Sequence, residues 1–134
     1  MGLTVADSSV LIAVIDATDS CHDIAAEELT RAASRGEILI SAVAFSEALV
    51  VPYQMGRDTG RAVEAQLAAV GRIVPISAAI GSAAARIRAG RHMRLPDALI
   101  IATGVEFNAA EILTFDQGWK DADRRIRVIF RPDP

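Results

Sequence analysis

The sequence predicts an α/β domain in which a parallel β-sheet lies between two layers of helices. Short apolar segments alternate with longer segments of helical periodicity, and strands separated by helices need crossover connections, which place parallel strands in one sheet and helices on both faces. Of the 134 residues, 51% are hydrophobic and only 4% are aromatic, so the core must consist mainly of Ala, Val, Ile and Leu. This length suits a single domain, which we expect to span residues 1–134.

Five short apolar segments are the candidate strands, and six longer segments are the candidate helices. The predicted strands are 3–6, 37–40, 72–76, 111–115 and 125–130. The predicted helices are 8–16, 23–36, 42–51, 59–71, 77–90 and 96–109. In such sheets the chemistry collects where the strands end and the chain turns into a helix, so these junctions are the first places to examine.

The composition indicates a cytoplasmic protein. Cys21 is the only cysteine, which excludes an internal disulfide and leaves no Cys/His spacing of the kind that binds zinc. We find no secretory signal and no uncharged run near the roughly 20 residues that a membrane span requires. We therefore expect neither export nor membrane insertion.

The net charge of −3 hides an asymmetry between the two halves of the chain. Residues 1–67 carry four basic and ten acidic residues, whereas residues 68–134 carry ten basic and seven acidic ones. The basic residues of the second half include Arg86, Arg88, Arg91 and Arg94, just before Asp97. This stretch suits a clamp for an RNA backbone, and a solvated helix end is the simpler alternative.

Three acids stand at junctions where a strand or loop turns into a helix. Asp7 follows the first predicted strand, Asp116 follows the fourth, and Asp97 comes directly after Pro96, which marks a first helical turn. Each of these acids also suits a helix cap, because carboxylates accept hydrogen bonds from free backbone N–H groups there. One acid at such a position therefore proves little.

Glu47 is the only charge in an almost wholly apolar predicted helix. Helical geometry places it beside Val43, Val50 and Val51, which predicts a carboxylate on a buried stripe. Burying a charge is costly unless something positive compensates it. The partner is either an arginine or a metal ion.

The combination of the four acids is more informative than any one of them. If folding gathers Asp7, Glu47, Asp97 and Asp116 into one pocket, their mutual repulsion requires a cation. Mg²⁺ and Mn²⁺ prefer oxygen ligands and are the natural occupants. We therefore predict that these acids form a metal-binding catalytic site.

Four motifs in this order and spacing resemble the PIN-domain ribonucleases, and among them the VapC-type toxins of bacterial type II toxin–antitoxin pairs. The motifs are VADSSVLI at the start, SEAL around Glu47, LPDALIIA around Asp97 and LTFDQGW around Asp116. The resemblance covers the whole chain and implies a PIN-like sheet of five parallel strands. It also implies that the four acids bind metal and that Ser9 and Thr114 are polar supports of the site.

The resemblance further implies an endoribonuclease that is the toxin of such a pair. One or two Mg²⁺ or Mn²⁺ ions would activate water for in-line attack on a phosphodiester, leaving a 5′-phosphate and a 3′-hydroxyl. Some relatives carry a further acid shortly after the position of Asp116, where this chain has Gln117 and Gly118, so the number of metals stays open. The implied partners are RNA, a cognate antitoxin that covers the site, and a second copy in a homodimer; the mean hydropathy of +0.31 is consistent with a covered surface.

Three other functions fit parts of the pattern. The first is a catalytically silent PIN-like module that binds RNA or protein, against which the intact set of acids argues. The second is a phosphoacceptor domain of the receiver type, which Asp7-Ser8-Ser9 and the single Lys120 fit poorly. The third is a phosphate-ester hydrolase with Asp7 as nucleophile, which would form an aspartyl-phosphate.

Overall fold

The computed structural model describes residues 2–132; Met1, Asp133 and Pro134, which the expected domain includes, lie outside the described residues. The chain alternates strands and helices in the predicted order. The strands are β1 (Thr4–Ala6), β2 (Ile38–Ser41), β3 (Arg72–Val74), β4 (Glu111–Thr114) and β5 (Ile126–Val128). The helices are α1 (Ser8–Ile15), α2 (His22–Arg35), α3 (Ala42–Met55), α4 (Arg57–Val70), α5 (Ala78–Gly90) and α6 (Leu95–Glu106), and a 3₁₀ turn spans Gln117–Trp119.

The five strands form one parallel sheet in the order β3-β2-β1-β4-β5, which confirms the predicted fold class. β1 is the central strand, and Val5 pairs with Leu39 on one side and with Ile112 on the other. The three residues of β1 are buried although neighbouring side chains point to opposite faces, so helices cover both faces of the sheet. From β1 the chain adds β2 and then β3 on one side of the sheet, and it later adds β4 and β5 on the other side. Folds of this kind have a crevice between the two central strands, here β1 and β4, at their carboxyl ends.

Helix α6 packs unusually closely on the central strands. A Cβ at Gly104 would lie 2.4 Å from Cδ1 of Ile112, so only glycine allows this approach. The helix ends at Glu106, earlier than predicted, because Asn108 adopts a left-handed conformation with φ of 50°. The close packing holds the first turn of α6, and with it Asp97, near the end of β1.

Two other boundaries differ from the prediction for reasons involving proline. The third strand stops at Val74, because Pro75 has no N–H to continue the ladder. Helix α3 runs four residues past its predicted end at 51, through the buried Pro52. The burial of that ring contributes apolar free energy that offsets part of the cost of the backbone hydrogen bond that proline removes.

None of the helices within residues 2–132 is both long enough and apolar enough to cross a membrane.

Candidate active site

A cleft at the carboxyl end of the sheet brings together three of the four predicted acids, Asp7, Asp97 and Asp116. Asp7 follows the central strand β1, and Asp116 comes two residues after the neighbouring strand β4. Asp97 is the third residue of α6, in its first turn, and the N-cap position is held by Arg94. The alternative interpretation of Asp97 as a helix cap is therefore wrong. The two innermost strands and the closely packed helix therefore supply the three carboxylates.

Asp7 is the most buried of these acids, with only 4% of its surface exposed. One carboxylate oxygen accepts the backbone N–H of Ser8 at 2.7 Å, as a helix cap does, and the other accepts the hydroxyls of Ser9 at 2.8 Å and Thr114 at 2.7 Å. Burial raises the pKa of Asp7, the hydrogen bonds from Thr114, Ser9 and Ser8 oppose that rise, and the negative charge of Asp97 adds to it. Asp7 is thus a carboxylate whose negative charge a nearby cation would stabilise.

The two hydroxyls that contact Asp7 are themselves fixed by the backbone after β4. The N–H of Phe115 donates to Oγ of Ser9 at 3.1 Å, and the N–H of Asp116 donates to Oγ1 of Thr114 at 3.0 Å. Because each oxygen already accepts a backbone N–H, its own hydrogen is directed at Asp7. Sequence spacing does not show these contacts, since Thr114 lies 107 positions from Asp7.

Asp116 is exposed and has a structural partner of its own. Its Oδ1 accepts the N–H of Gly118 at 2.8 Å and so caps the short 3₁₀ turn, as the alternative interpretation expected. Asp116 and its neighbour Gln117 both line the cleft. Capping one backbone group leaves a carboxylate with further lone pairs available for a ligand.

Glu47 does not line this cleft. It lies on α3 and borders an adjoining apolar groove between α1, α3 and α4. The expected burial beside Val50 and Val51 is wrong, because these side chains are 53% and 61% exposed. The buried residues of α3 are instead Ala44, Ala48, Leu49 and Pro52. Apolar residues surround this helix on all sides, so its periodicity could not show which side faces the core.

Arg94 joins Glu47 to the three acids of the cleft. Its guanidinium forms a two-point contact with Asp97, at 3.0 Å to Oδ1 and 3.3 Å to Oδ2, and Nη2 lies 3.8 Å from Oε2 of Glu47. The hydrogen bond and the charge of Asp97 raise the pKa of Arg94, and the charges of Glu47 and Asp116 add to the shift. The partner that the sequence required for Glu47 is therefore an arginine in this structure.

The other arginines of the predicted RNA clamp lie outside the cleft. Arg86 donates to Oγ of Ser82 on its own helix at 2.7 Å, and Arg91 contacts the carbonyl of Lys120 at 3.4 Å. Arg88 belongs to the last turn of α5. Arg131, which stands outside the predicted clamp, lines the cleft, with its guanidinium 5.3 Å from the ring centroid of Phe115.

The carboxylates of the cleft suit a hard divalent cation, but in this structure Asp97 and the neighbouring Glu47 are paired with Arg94. Carboxylate oxygens are the ligands that Mg²⁺ and Mn²⁺ prefer, and the buried Oε1 of Glu47 finds no hydrogen-bond partner within residues 2–132. In the same part of the chain, no three acidic, histidine or cysteine side chains stand close enough together to share an ion. Arg94 occupies the space between two of the acids instead.

One family model and several solved structures match this chain. The family model described as "PIN domain" matches residues 4–125. Comparison with curated protein sequences finds no match. Among solved structures, a toxin–antitoxin complex from Klebsiella pneumoniae superposes with a TM-score of 0.77 at 20% identity, covering 93% of this chain and 96% of the other.

Two further structures are similar at the same level. VapC20 of Mycobacterium tuberculosis, described as a sarcin-ricin loop cleaving toxin, has a TM-score of 0.72 at 20% identity and covers 96% of this chain and 99% of its own. VapBC2 from Rickettsia felis, bound to a DNA fragment from its promoter, has a TM-score of 0.76 at 16% identity, with coverage of 92% and 96%. At these identities the likeness shows a shared fold.

Proposed function

This chain belongs to the PIN domain family, and we propose that it is a Mg²⁺- or Mn²⁺-dependent endoribonuclease that acts as the toxin of a toxin–antitoxin pair. The observation that carries the proposal is the convergence of Asp7, Asp97 and Asp116 on one cleft, with Glu47 linked to them through Arg94. Carboxylates gathered in this way repel one another and favour a cation. An acidic cleft also accepts a polyanion such as RNA only when bound cations offset its charge.

The four acids are the proposed metal ligands, each with a different degree of preorganisation. A bound divalent ion supplies a Lewis acid and lowers the pKa of a coordinated water. Asp7 is held in place by Ser9 and Thr114, so it presents its carboxylate with little loss of side-chain freedom. Asp97 and Asp116 face it from α6 and from the turn after β4, so a phosphodiester in the cleft would meet carboxylates from two directions. The expected products carry a 5′-phosphate and a 3′-hydroxyl.

Arginines around the cleft are the proposed contacts for the RNA backbone. Arg131 is held at the cleft by the Phe115 ring, where its planar guanidinium suits a phosphate. Arg86, Arg88 and Arg91, on α5 and directly after it, lie outside the cleft and are proposed to bind nucleotides away from the cleavage point. These contacts neutralise phosphates without reading bases, so they contribute affinity rather than sequence preference.

A cognate antitoxin and a second copy of the chain are the proposed protein partners, in the cytoplasm. The similar structures include toxin–antitoxin complexes. The groove beside the cleft is lined by apolar side chains of α1 and α3, among them Ile12, Val51 and Met55, which are 41%, 61% and 72% exposed. Ile12 lines both the groove and the cleft, so a segment that fills the groove reaches the acids.

The direct test is cleavage of single-stranded RNA by the purified chain with Mg²⁺ or Mn²⁺. We expect cleavage that EDTA abolishes, and a loss on the order of 100-fold or more in Asp7→Asn and Asp97→Asn, because each removes an anionic ligand. Asp23→Asn, which changes an exposed acid in the first turn of α2, is the control and should cut normally. Undiminished cleavage by the two variants would refute the assignment of the site.

A silent RNA-binding module is the second candidate, and one observation favours it. Arg94 already pairs with Asp97 and Glu47, so part of the acidic charge is balanced without a metal. Such a module would bind RNA equally well with EDTA and would not cut it. The same assay, read for both binding and cleavage, decides between the two functions.

A further inference from the structure

We propose that Arg94 is an internal cation that competes with the divalent ion for Glu47 and Asp97, and thereby sets the metal affinity of the site. The inference rests on the proposed metal-dependent function and adds a regulatory residue to it. It concerns a residue that the sequence suggested only as an RNA contact. The argument depends on where its guanidinium lies.

The guanidinium of Arg94 lies where it contacts both acids. It lies 3.0 Å from Oδ1 and 3.3 Å from Oδ2 of Asp97, so both oxygens of that carboxylate are engaged. It also lies 3.8 Å from Oε2 of Glu47. A metal that uses Asp97 or Glu47 would meet the repulsion of this positive charge only a few Å away, so the two cations compete for these acids.

The remaining acids of the cleft are not held in this way. Asp7 is engaged by hydroxyl and amide donors, and Asp116 by the amide of Gly118, all of them neutral groups. Neutral donors leave the negative charge in place for an ion. Within residues 2–132, Arg94 therefore divides the four acids into two that form no ion pair and two that it holds.

Arg94 is also able to leave. Its side chain is 70% exposed, whereas those of Asp97 and Glu47 are 13% and 29% exposed. Ion pairs on such exposed side chains contribute little free energy and weaken further with salt. When the guanidinium turns into solvent, it no longer contacts the carboxylate of Asp97 or Oε2 of Glu47.

The test is Mn²⁺ binding measured by isothermal titration calorimetry on the full chain, without RNA. Arg94→Gln keeps an uncharged polar side chain at an exposed position, so we expect it to fold normally. Its Kd for Mn²⁺ should fall by roughly 5- to 20-fold, as expected when one unit of positive charge is removed from the edge of the site. The difference from the wild type should shrink as NaCl is raised, because the competition is electrostatic.

Two further variants make the result specific. Arg91→Gln removes the same charge three residues away, from a side chain that contacts the carbonyl of Lys120, and should leave the Kd unchanged. Arg94→Lys keeps the charge but not the planar fork that engages both oxygens of Asp97, so its Kd should lie between those of the wild type and Arg94→Gln.

An Arg94→Gln variant that binds Mn²⁺ with the affinity of the wild type, or more weakly, would overturn the inference. Weaker binding would mean that Arg94 supports the site. If the wild type and all variants fail to bind Mn²⁺, the metal-dependent function itself fails. The cleavage assay with Asp7→Asn reports that failure separately, so the two outcomes are distinguishable.

Discussion

The hydroxyl of Thr114 donates a hydrogen bond of 2.7 Å to Oδ2 of Asp7, and both residues are buried. The same hydroxyl oxygen accepts the N–H of Asp116, so one side chain connects two acids of the cleft. Thr114→Val keeps the shape and removes both bonds. We expect a loss of about 1–3 kcal/mol in the free energy of unfolding, because a buried carboxylate and a backbone N–H lose a partner.

The matched control for Thr114→Val is Thr103→Val. Thr103 is equally buried, but its hydroxyl bonds only the carbonyl of Leu99 in its own helix, which the helix already satisfies. Urea unfolding of both variants measures the difference. If Thr114→Val is no less stable than Thr103→Val, the hydroxyl does not stabilise Asp7.

Asp7→Asn should remove activity, and it should also remove the pH-dependent loss of stability that ionisation of Asp7 imposes on the metal-free protein. Burial raises the pKa of Asp7, so between its unfolded and folded values the folded protein binds more protons than the unfolded chain. The free energy of unfolding therefore falls as the pH rises through that window. Above the window, the whole cost of burying the ionised carboxylate is present. We expect the midpoint of thermal unfolding of the wild type to fall relative to that of Asp7→Asn as the pH rises through that window, on the order of 4 °C for each 1 kcal/mol.

The pH dependence distinguishes this cause from a general effect of the substitution. In EDTA, the difference in midpoint between Asp7→Asn and the wild type should be larger at pH 7 than at pH 4, where the buried carboxyl of the wild type is closer to neutral. A difference that stays constant across this range would show that ionisation of Asp7 is not its origin.

Arg131 should contribute to RNA affinity through a phosphate contact. In an Asp7→Asn background that does not cut, Arg131→Gln should weaken binding of single-stranded RNA and lower the slope of log K against log salt by about 0.7, the value for one phosphate on a single strand. Filter binding at several NaCl concentrations measures both quantities. Arg124→Gln, an exposed arginine on the β5 side of the molecule, is the control. Equal slopes for both variants would contradict a contact at the cleft.

Glu28 should stabilise the fold through a closed ring of ion pairs at the β4–β5 edge. It contacts Arg31 and Arg127, and both of these arginines also contact Glu111. Burial by itself would raise the pKa of Glu28, but the hydrogen bonds from Arg127 and Arg31 outweigh it and lower the pKa. The stabilisation is therefore complete above the unfolded pKa of glutamate and is lost as the pH falls below it.

Glu28→Gln tests the ring. We expect a loss of about 1 kcal/mol at pH 7, since the glutamate side chain is only 19% exposed, and a smaller loss near pH 3. Glu37→Gln breaks the pair with Arg72, whose side chains are about half exposed, and should change little. Equal losses for the two variants would show that closure of the ring adds nothing.

The order of elements could be predicted because each carries its signal locally. Apolar runs, helical spacing and glycines after α2 and α4 are properties of neighbouring residues, and all five strands and six helices lie where these signals indicate. The strand order β3-β2-β1-β4-β5 is a different kind of information. It depends on which distant segments pair, and no feature of β1 itself identifies β4 as its partner.

The sequence indicated the candidate residues of the site better than it indicated the contacts between them. The junctions after β1 and β4 indicated Asp7 and Asp116, because the ends of neighbouring parallel strands meet at one edge of the sheet. The approach of Arg94 to Glu47 joins two helices that are adjacent only in the folded chain. The position of Arg94, three residues before Asp97, suggested a charged helix end. Tertiary packing also brings Arg94 to a second carboxylate, that of Glu47.

The pairing of the first strand with the fourth has a consequence for synthesis on the ribosome. Asp7 emerges from the ribosome 107 positions before Thr114. A nascent chain therefore has no assembled cleft until β4 and the loop after it have been synthesised. Any product that terminates before β4 lacks the hydroxyl that holds Asp7, and lacks Asp116 as well, so a truncated message cannot yield a partly active fragment of the proposed enzyme.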